Sequence, residues 1–308
     1  MAIIYWIGGD SGNETDFQTA ANWSTASVPT TGDEVFIVGR DTDYDIADGL
    51  DNSAILLART VIDNSYTGNI GLENAYLELP STILEIGAQV VGSGNGSGRI
   101  NLDLGTDATT ITIYNSALTA TDSGNYPIRI LAANASNILR SLGGTCSIAL
   151  KADESSNFPL IEINGGIVVL GESADAAVIT NTGGELVSYD LPSSPTKTLT
   201  SLKLFNSATA TLYGSSTIGT LENWSNSRFN KFSTGTISTL RVGDGATFDA
   251  SLDTSPITIT NCELYTNATL DLRSGKKNVT FTNPVQLIGT TPQSVNILTN
   301  EGYTVALA

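Results

Sequence analysis

Residues 217–229 read Thr-Ile-Gly-Thr-Leu-Glu-Asn-Trp-Ser-Asn-Ser-Arg-Phe, and residues 236–248 repeat this pattern at a constant offset of 19 positions. Three pairs of apolar residues coincide under that offset: Ile218 with Ile237, Leu221 with Leu240, and Phe229 with Phe248. Apolar residues that recur at a fixed spacing indicate a repeated structural unit, in which each copy buries the same side chains as its neighbour. The two segments therefore predict coils that stack on one another.

The turns between the apolar runs recur as well. One type of tetrapeptide is found at four places, spaced by 20, 18 and 22 residues: Asn206-Ser-Ala-Thr209, the weaker Asn226-Ser-Arg-Phe229, Asp244-Gly-Ala-Thr247 and Thr266-Asn-Ala-Thr269. Gly, Asn and Asp tolerate the positive φ that tight turns require. A degenerate period of 18–22 residues is typical of a β-solenoid, in which each coil consists of a few short strands joined by such turns.

Short runs of alternating apolar residues fill much of the remaining chain. Leu77-Glu-Leu79, Ile111-Thr-Ile113 and Leu202-Lys-Leu204 are examples, and this alternation predicts half-buried strands. Hydrophobic residues make up 40% of the 308 residues, which is enough for a core, and helical periodicity is hard to find. We predict an all-β fold, a right-handed parallel β-helix (β-solenoid) with an N-terminal cap; the alternative is a β-sandwich.

Three segments are predicted along the chain. Residues 1–40 form an N-terminal capping module, residues 41–290 form the β-solenoid, and residues 291–308 form a C-terminal cap or a tail that contacts another subunit. In the first segment, Trp6 and Trp23 would cover the open end of the core. The other structural positions of the cap are Gly8, Gly9, Pro29 and Asp33.

The opening segment also carries a recognisable pattern, W-x-G-G, A-x-N-W-S, V-P and G-D-x-V-x-I, between Tyr5 and Ile37. It resembles the start of autotransporter passenger domains and of related β-solenoid surface proteins, including virion proteins of tailed bacteriophages. The resemblance is carried by Trp6, Gly8, Gly9, Asn22, Trp23, Pro29, Gly32, Asp33, Val35 and Ile37. Because the N-terminal sequence shows no signal-peptide pattern, we expect a phage protein rather than an autotransporter.

The resemblance implies a non-enzymatic structural virion protein, either a capsid decoration protein or a short head fibre or spike, assembled in the host cytoplasm. Its expected partners are other virion proteins, above all the capsid, and the expected assembly is a homotrimer. The alternatives are a tail spike that recognises or cleaves host surface glycans, and a secreted bacterial adhesin. The formal charge of −17 argues against binding of nucleic acid, and no apolar stretch is long enough for insertion in a membrane.

Catalytic patterns are scarce in this sequence. It contains no histidine, which excludes Ser-His-Asp and Cys-His catalysis and His-ligated zinc. Three pairs of carboxylates remain as candidates for glycan cleavage: Asp103 with Asp107, Asp153 with Glu154, and Asp249 with Asp253. None of these pairs forms a recognised motif, so we predict no enzymatic activity, no catalytic residues and no cofactor. Cys146 and Cys262 lie in alternating apolar runs and are predicted to be separate buried residues.

Two binding sites are predicted from local composition. Asp41, Asp43 and Asp45 alternate along a strand and would share one face, where their carboxylates could bind Ca²⁺; a solvated strand edge is the alternative. Trp224 and Arg228 lie in the segment where aromatic and basic residues cluster, and they would bind a glycan by stacking and hydrogen bonding.

Overall fold

The computed structural model shows parallel strands stacked coil upon coil. It describes residues 1–40, 42–88, 99–114, 127–151, 153–171, 173–188, 197–274, 278–300 and 304–308. The chain divides into two compact units, Met1–Pro159 and Leu160–Ala308. Across the described ranges the only helices are two short 3-10 turns, Ala20–Asn22 and Pro292–Ser294. The predicted all-β fold with parallel stacked coils, a β-solenoid, is therefore confirmed.

The first unit contains two columns of parallel strands. Its strands are Ile3–Tyr5 (β1), Glu34–Ile37 (β2), Arg59–Asp63 (β3), Leu77–Glu78 (β4), Ile83–Ala88 (β5), Ile100–Asp103 (β6), Thr110–Ile113 (β7), Ile128–Leu131 (β8), Ile138–Ser141 (β9) and Thr145–Ile148 (β10). Strands β1, β2, β3, β5, β7 and β9 pair in that order. Strands β4, β6, β8 and β10 form the second column. Strand β11 (Ser156–Ile163) contains the division between the units.

The second unit is again built from parallel strands, of which Thr209–Asn223 and Arg228–Val242 span 15 residues each. They are Ile167–Leu170 (β12), Ala174–Asn181 (β13), Glu185–Ser188 (β14), Lys197–Leu204 (β15), Thr209–Asn223 (β16), Arg228–Val242 (β17), Thr247–Asp249 (β18), Ile257–Leu264 (β19), Thr269–Leu272 (β20), Val279–Phe281 (β21), Gln286–Leu287 (β22) and Asn296–Thr299 (β23). Every pairing within this unit that links named strands is parallel. A β-sandwich is built from antiparallel sheets, so that alternative is wrong.

The repeat identified in the sequence matches the pairing register between stacked coils. Ile218 pairs with Ile237 and Leu221 with Leu240, while Phe229 pairs with Phe248. All six side chains are fully buried, and the two phenylalanine rings stack with their centroids 5.5 Å apart. Equivalent residues therefore form ladders inside the coils, which a single coil could not bury by itself.

The turn tetrapeptides need one correction of register. Thr209 pairs with Arg228, Arg228 with Thr247, and Thr247 with Thr269, so the weak copy is Ser225–Arg228 rather than 226–229. The copies are spaced by 19, 19 and 22 residues. The reason is the third position of each copy, where a small side chain is buried in every coil: Ala208, Ser227, Ala246 and Ala268.

The last of these spacings is longer because three extra residues lie between Asp249 and Ile257. They form a loop that reaches Lys231, which occupies the same column as Leu212 and has no exposed side-chain surface. The Lys231 ammonium lies 2.9 Å from Asp253 Oδ2 and also donates to the carbonyl of Ser255. Desolvating an ammonium group costs several kcal/mol unless it is paired. The inserted loop thus supplies a counter-charge and a backbone acceptor for a buried lysine.

An aromatic cluster lies beside the first coil. Trp6 and Trp23 are almost fully buried, with ring centroids 5.1 Å apart in an edge-on arrangement, and Phe17 packs 4.7 Å from Trp23. The indole nitrogen of Trp23 donates to the Phe17 carbonyl at 2.7 Å. Gly8 adopts a positive φ of 57° at a point where a Cβ would lie 2.5 Å from the ring of Tyr44. Only glycine fits this turn, since both its backbone and its surroundings exclude a side chain.

Polar residues complete the opening segment. The carboxylate of Asp33 accepts hydrogen bonds from the backbone nitrogens of Ala2 and Thr30, and these bonds lower the pKa of Asp33 despite its burial. Asn22 is completely buried and bonds to residues on both sides of the turn, while Pro29 is also buried. These contacts join residues within the first 33 positions of the chain.

The C-terminal residues pair within the same chain. Val285 forms a parallel bridge with Leu307, and the nitrogen of Ala308 donates to the Val285 carbonyl at 2.9 Å. Contact between this tail and a second subunit stays a prediction. Cys146 and Cys262 are buried and unpaired, as predicted, and burial raises the pKa of each thiol to about 12.

Replacing Asp253 with alanine is expected to destabilise the second unit by about 3–5 kcal/mol, because the Lys231 ammonium would stay buried without its counter-charge. Adding Lys231→Leu to Asp253→Ala should restore most of that loss, since leucine already occupies the equivalent position in the adjacent coil. Urea unfolding followed by circular dichroism measures both. A single variant within about 0.5 kcal/mol of wild type would contradict this assignment.

Candidate functional site: a polar groove in the N-terminal unit

A column of carboxylates runs along the outside of the first unit. Asp51 pairs with Glu78 and Glu78 with Asp103, each on the next coil of the stack. Residues alternate between the two faces of a strand, and the neighbours Leu77 and Leu102 are completely buried. The acidic side chains therefore point outward, one per coil, at the spacing of about 4.8 Å between adjacent strands.

These carboxyl groups differ in their proton affinity. Burial, followed by the charges of Asp51 and Asp103, raises the pKa of Glu78. Burial also raises the pKa of Asp103, although the nitrogen of Gly105 donates to it at 2.8 Å. Hydrogen bonds from the hydroxyl and backbone nitrogen of Ser53 lower the pKa of Asp51. The column thus holds one stabilised carboxylate beside two groups that retain protons more readily.

Tyr76, Lys151, Asp153 and Glu154 also line the groove. The Tyr76 hydroxyl donates to Glu154 Oε1 at 2.7 Å, and the backbone nitrogen of Lys151 donates to Glu154 Oε2 at 2.9 Å. Burial, together with this bond to a carboxylate, raises the pKa of Tyr76. The groove encloses about 740 Å³, within the range of ~300–1,000 Å³ found for ligand sites.

A smaller pocket of about 340 Å³ adjoins the groove and shares Glu73 with it. Its lining includes two arginines, Arg99 and Arg129, and two asparagines, Asn69 and Asn101. Arg129 is only 3% exposed, although it carries a full charge. Asp45 and Glu73 also line this pocket, so it combines guanidinium groups with carboxylates.

The predicted acidic site at residues 41–45 has structural partners. Asp43 accepts hydrogen bonds from the backbone nitrogen and the hydroxyl of Thr67, both at 2.7 Å, and Asp45 accepts from the backbone and amide nitrogens of Asn69. Both carboxylates therefore link one coil to the next. Among described residues, no group of three or more acidic, cysteine or histidine side chains could hold a metal ion. Asp41 lies outside the described residues, so Ca²⁺ binding by the three aspartates stays a prediction.

The predicted glycan-binding pair lies in the second unit. Trp224 is half-buried and packs on Tyr265 with ring centroids 4.7 Å apart, reaching across Gly243, which has no side chain to separate them. The Arg228 guanidinium bonds to Asn230 and to the carboxylate of Asp249. Both side chains thus have partners within the stack, and their glycan-binding role stays a prediction.

The sequence predicted Asp103, Asp153 and Glu154 as candidates for glycan cleavage, and all three line this groove, whereas Asp107 is not among its lining residues. Tyr76 and Glu78, which lie on the same groove, were not predicted. One signal was present: Leu77-Glu-Leu79 and Leu102-Asp-Leu104 place an acidic residue between two leucines. Only the register shows that these two segments are adjacent.

Comparison with known proteins identified no relative of this chain. No family model matches the chain, and neither the curated proteins nor the solved structures gave a match. The class that the fold defines is an all-β parallel solenoid, and the resemblance of residues 5–37 to phage and autotransporter proteins has no further support. Among the described residues there is no helix with the length and hydropathy needed to cross a bilayer.

The pKa shift of Glu78 gives a pH-dependent prediction. Because the folded state raises this pKa, it binds the proton more tightly than the unfolded state, and its contribution to stability is lost as pH rises. Glu78→Gln should remove that loss, so the variant should gain stability relative to wild type as pH rises above about 4. Urea unfolding at several pH values tests this, with Glu14→Gln as the control outside the groove. Parallel stability curves for wild type and Glu78→Gln would contradict it.

Proposed function

We propose that this solenoid is a non-enzymatic structural protein of a tailed-phage particle, of the spike or decoration type, and that the groove of its first unit binds a glycan on the host surface. The observation that carries the glycan part is the groove of about 740 Å³, where charged and hydroxyl groups converge on a regular stack. The virion part is supported only by the resemblance of the opening segment.

The chemistry of the groove favours a carbohydrate ligand. Carboxylates such as Asp51 and Asp103 accept hydrogen bonds from pairs of hydroxyl groups, and Lys151 supplies a donor. Tyr76 combines an aromatic ring with a polar hydroxyl, a combination that suits the apolar and polar faces of a sugar. The excess of acidic groups disfavours nucleic acid, whose phosphates would be repelled.

The size of the groove favours an oligosaccharide over a single sugar. Its lining residues lie on four successive coils, through Asp51, Glu78, Asp103 and Leu131. Three steps of the stack span about 14 Å. An extended ligand would therefore run along the stacking direction and contact one residue of each column per coil.

Binding can be tested on a glycan array with the purified chain and two matched variants. Asp103→Asn lies in the groove, whereas Asp107→Asn makes the same chemical change outside its lining. We expect Asp103→Asn to weaken binding about tenfold or more, because a charge-assisted hydrogen bond is lost, and Asp107→Asn to bind as wild type. Circular dichroism checks that both remain folded. Equal binding by all three proteins, or no binding by any, would contradict the proposal.

The non-enzymatic part has its own test. Glycans retained on the array are incubated with the protein, and new chain ends are measured. Steady release of new ends would overturn this part. In that case Glu78 and Asp51, whose pKa values are shifted in opposite directions, would be the first acid and base to replace.

The particle assignment is tested by quantitative mass spectrometry of purified virions, where the chain should be present in a fixed number of copies. A homotrimer should have three times the mass of the 32.1 kDa chain in analytical ultracentrifugation. Absence from virions together with display on a bacterial surface would instead support an adhesin. A monomer of 32.1 kDa at all concentrations would contradict the trimer.

A further inference from the structure

Arg129 is held in a fixed position on strand β8. Its neighbours Ile128 and Ile130 are completely buried, and Arg129 itself is covered although strand alternation turns it outward. Glu73 lies on top, with Oε1 at 3.5 and 3.4 Å from the two terminal guanidinium nitrogens. Arg129 also interacts with the Tyr76 hydroxyl, which connects it to the larger groove.

Glu73 is brought there by a short arm formed by residues 71–76. The arm begins at Gly71, where φ is +65° and a Cβ would lie 2.4 Å from the Asn101 carbonyl. Reciprocal backbone hydrogen bonds between Leu72 and Ala75 close its tip. Lys151 Nζ then donates to the Glu73 carbonyl at 3.1 Å and to Asn74 Oδ1 at 3.2 Å. The backbone of the arm is thus anchored independently of the Glu73 carboxylate.

The two side chains of the Arg129–Glu73 contact differ in their exposure to solvent. The Arg129 side chain is 4% exposed, whereas that of Glu73 is 62% exposed. Their nitrogen–oxygen distances exceed the ~2.7–2.9 Å of a good charge-assisted bond. An exposed carboxylate at long range contributes little, so another carboxylate could take its place while the guanidinium keeps its position.

We propose that the small pocket binds the carboxylate of an acidic sugar, such as a uronic acid unit, and that Glu73 occupies the carboxylate position until that ligand displaces it. This inference rests on the proposed glycan-binding function and specifies its substrate class. Arg129 provides the planar pair of donors that a carboxylate fits, and Asn101, which is 5% exposed, offers an amide beside it. The remaining sugar units extend into the groove through the shared residue Glu73.

The test uses tetrasaccharides that contain glucuronate or galacturonate, each compared with its methyl ester by isothermal titration calorimetry. Glu73→Gln should bind the acid form about tenfold more tightly than wild type, because the competing carboxylate is gone. Its affinity for the ester should not change. Arg129→Lys should lose the preference for the acid over the ester, since lysine has no bidentate fork. Glu263→Gln, which alters a carboxylate bonded to Arg241 in the second unit, is the matched control.

The outcomes separate this inference from the function on which it rests. If acid and ester bind equally well and Glu73→Gln changes neither affinity, the acidic-sugar site is wrong while glycan binding stands. If wild type and Glu73→Gln bind neither form, and the array is also negative, both proposals fail. A Glu73→Gln variant that binds the acid form no better than wild type would overturn the displacement of Glu73 by the ligand.

Discussion

Parallel pairing between successive coils is the constraint on which this structure depends. Each strand bonds to the equivalent strand of the next coil, so a residue lies about 4.8 Å from its counterpart above and below. Residues at equivalent positions of successive coils therefore form a column along the stack. Apolar columns such as Phe229 and Phe248 form the core, and turn columns such as Asn206, Ser225 and Asp244 adopt positive φ. The second unit tolerates a longer coil only because the three extra residues leave the columns in register.

The same constraint explains the polar features of the molecule. A charged residue in an inward column must be compensated from within, as Asp253 and Ser255 do for Lys231. Acidic residues in an outward column are brought close together even though their charges repel one another. Asp51, Glu78 and Asp103 are neighbours for this reason. Burial and the charges of the other two raise the pKa of Glu78, and burial raises the pKa of Asp103. The groove is thus a product of stacking, and it is completed by the arm that Gly71 allows to leave the coil.

The groove and the small pocket that contains Arg129 have different chemical roles. The groove offers acceptors for hydroxyl groups along the stack, whereas Arg129 offers a fixed pair of donors at one end. A chain with 31 acidic and 14 basic residues would repel an acidic glycan in general. Local attraction at Arg129 would then select ligands whose carboxylate reaches that one position, so that general repulsion and local attraction together give specificity.

The sequence by itself determined the fold class, because columns in a stack require the same residue type at a regular spacing and that spacing is visible in the chain. The pairs Ile218 with Ile237 and Leu221 with Leu240 give the register to the residue. At Ser225–Arg228 the residue types differ from those of the other copies, and the position predicted from the spacing alone was wrong by one residue. Burial of Cys146 and Cys262 followed from the same alternation.

Only the tertiary structure decided the candidate site. Glu73, Arg129 and Lys151 are separated by 56 and 78 positions along the chain, and no local pattern records that the arm joins them. Their meeting depends on which coil lies above which, on how far the arm extends, and on the turn at Gly71. Likewise, only the register shows that Lys231 lies in an internal column, paired with Leu212. Local periodicity determines which residues repeat along the stack. The role of a residue that departs from the repeat depends on its neighbours in the adjacent coils, which only the tertiary structure shows.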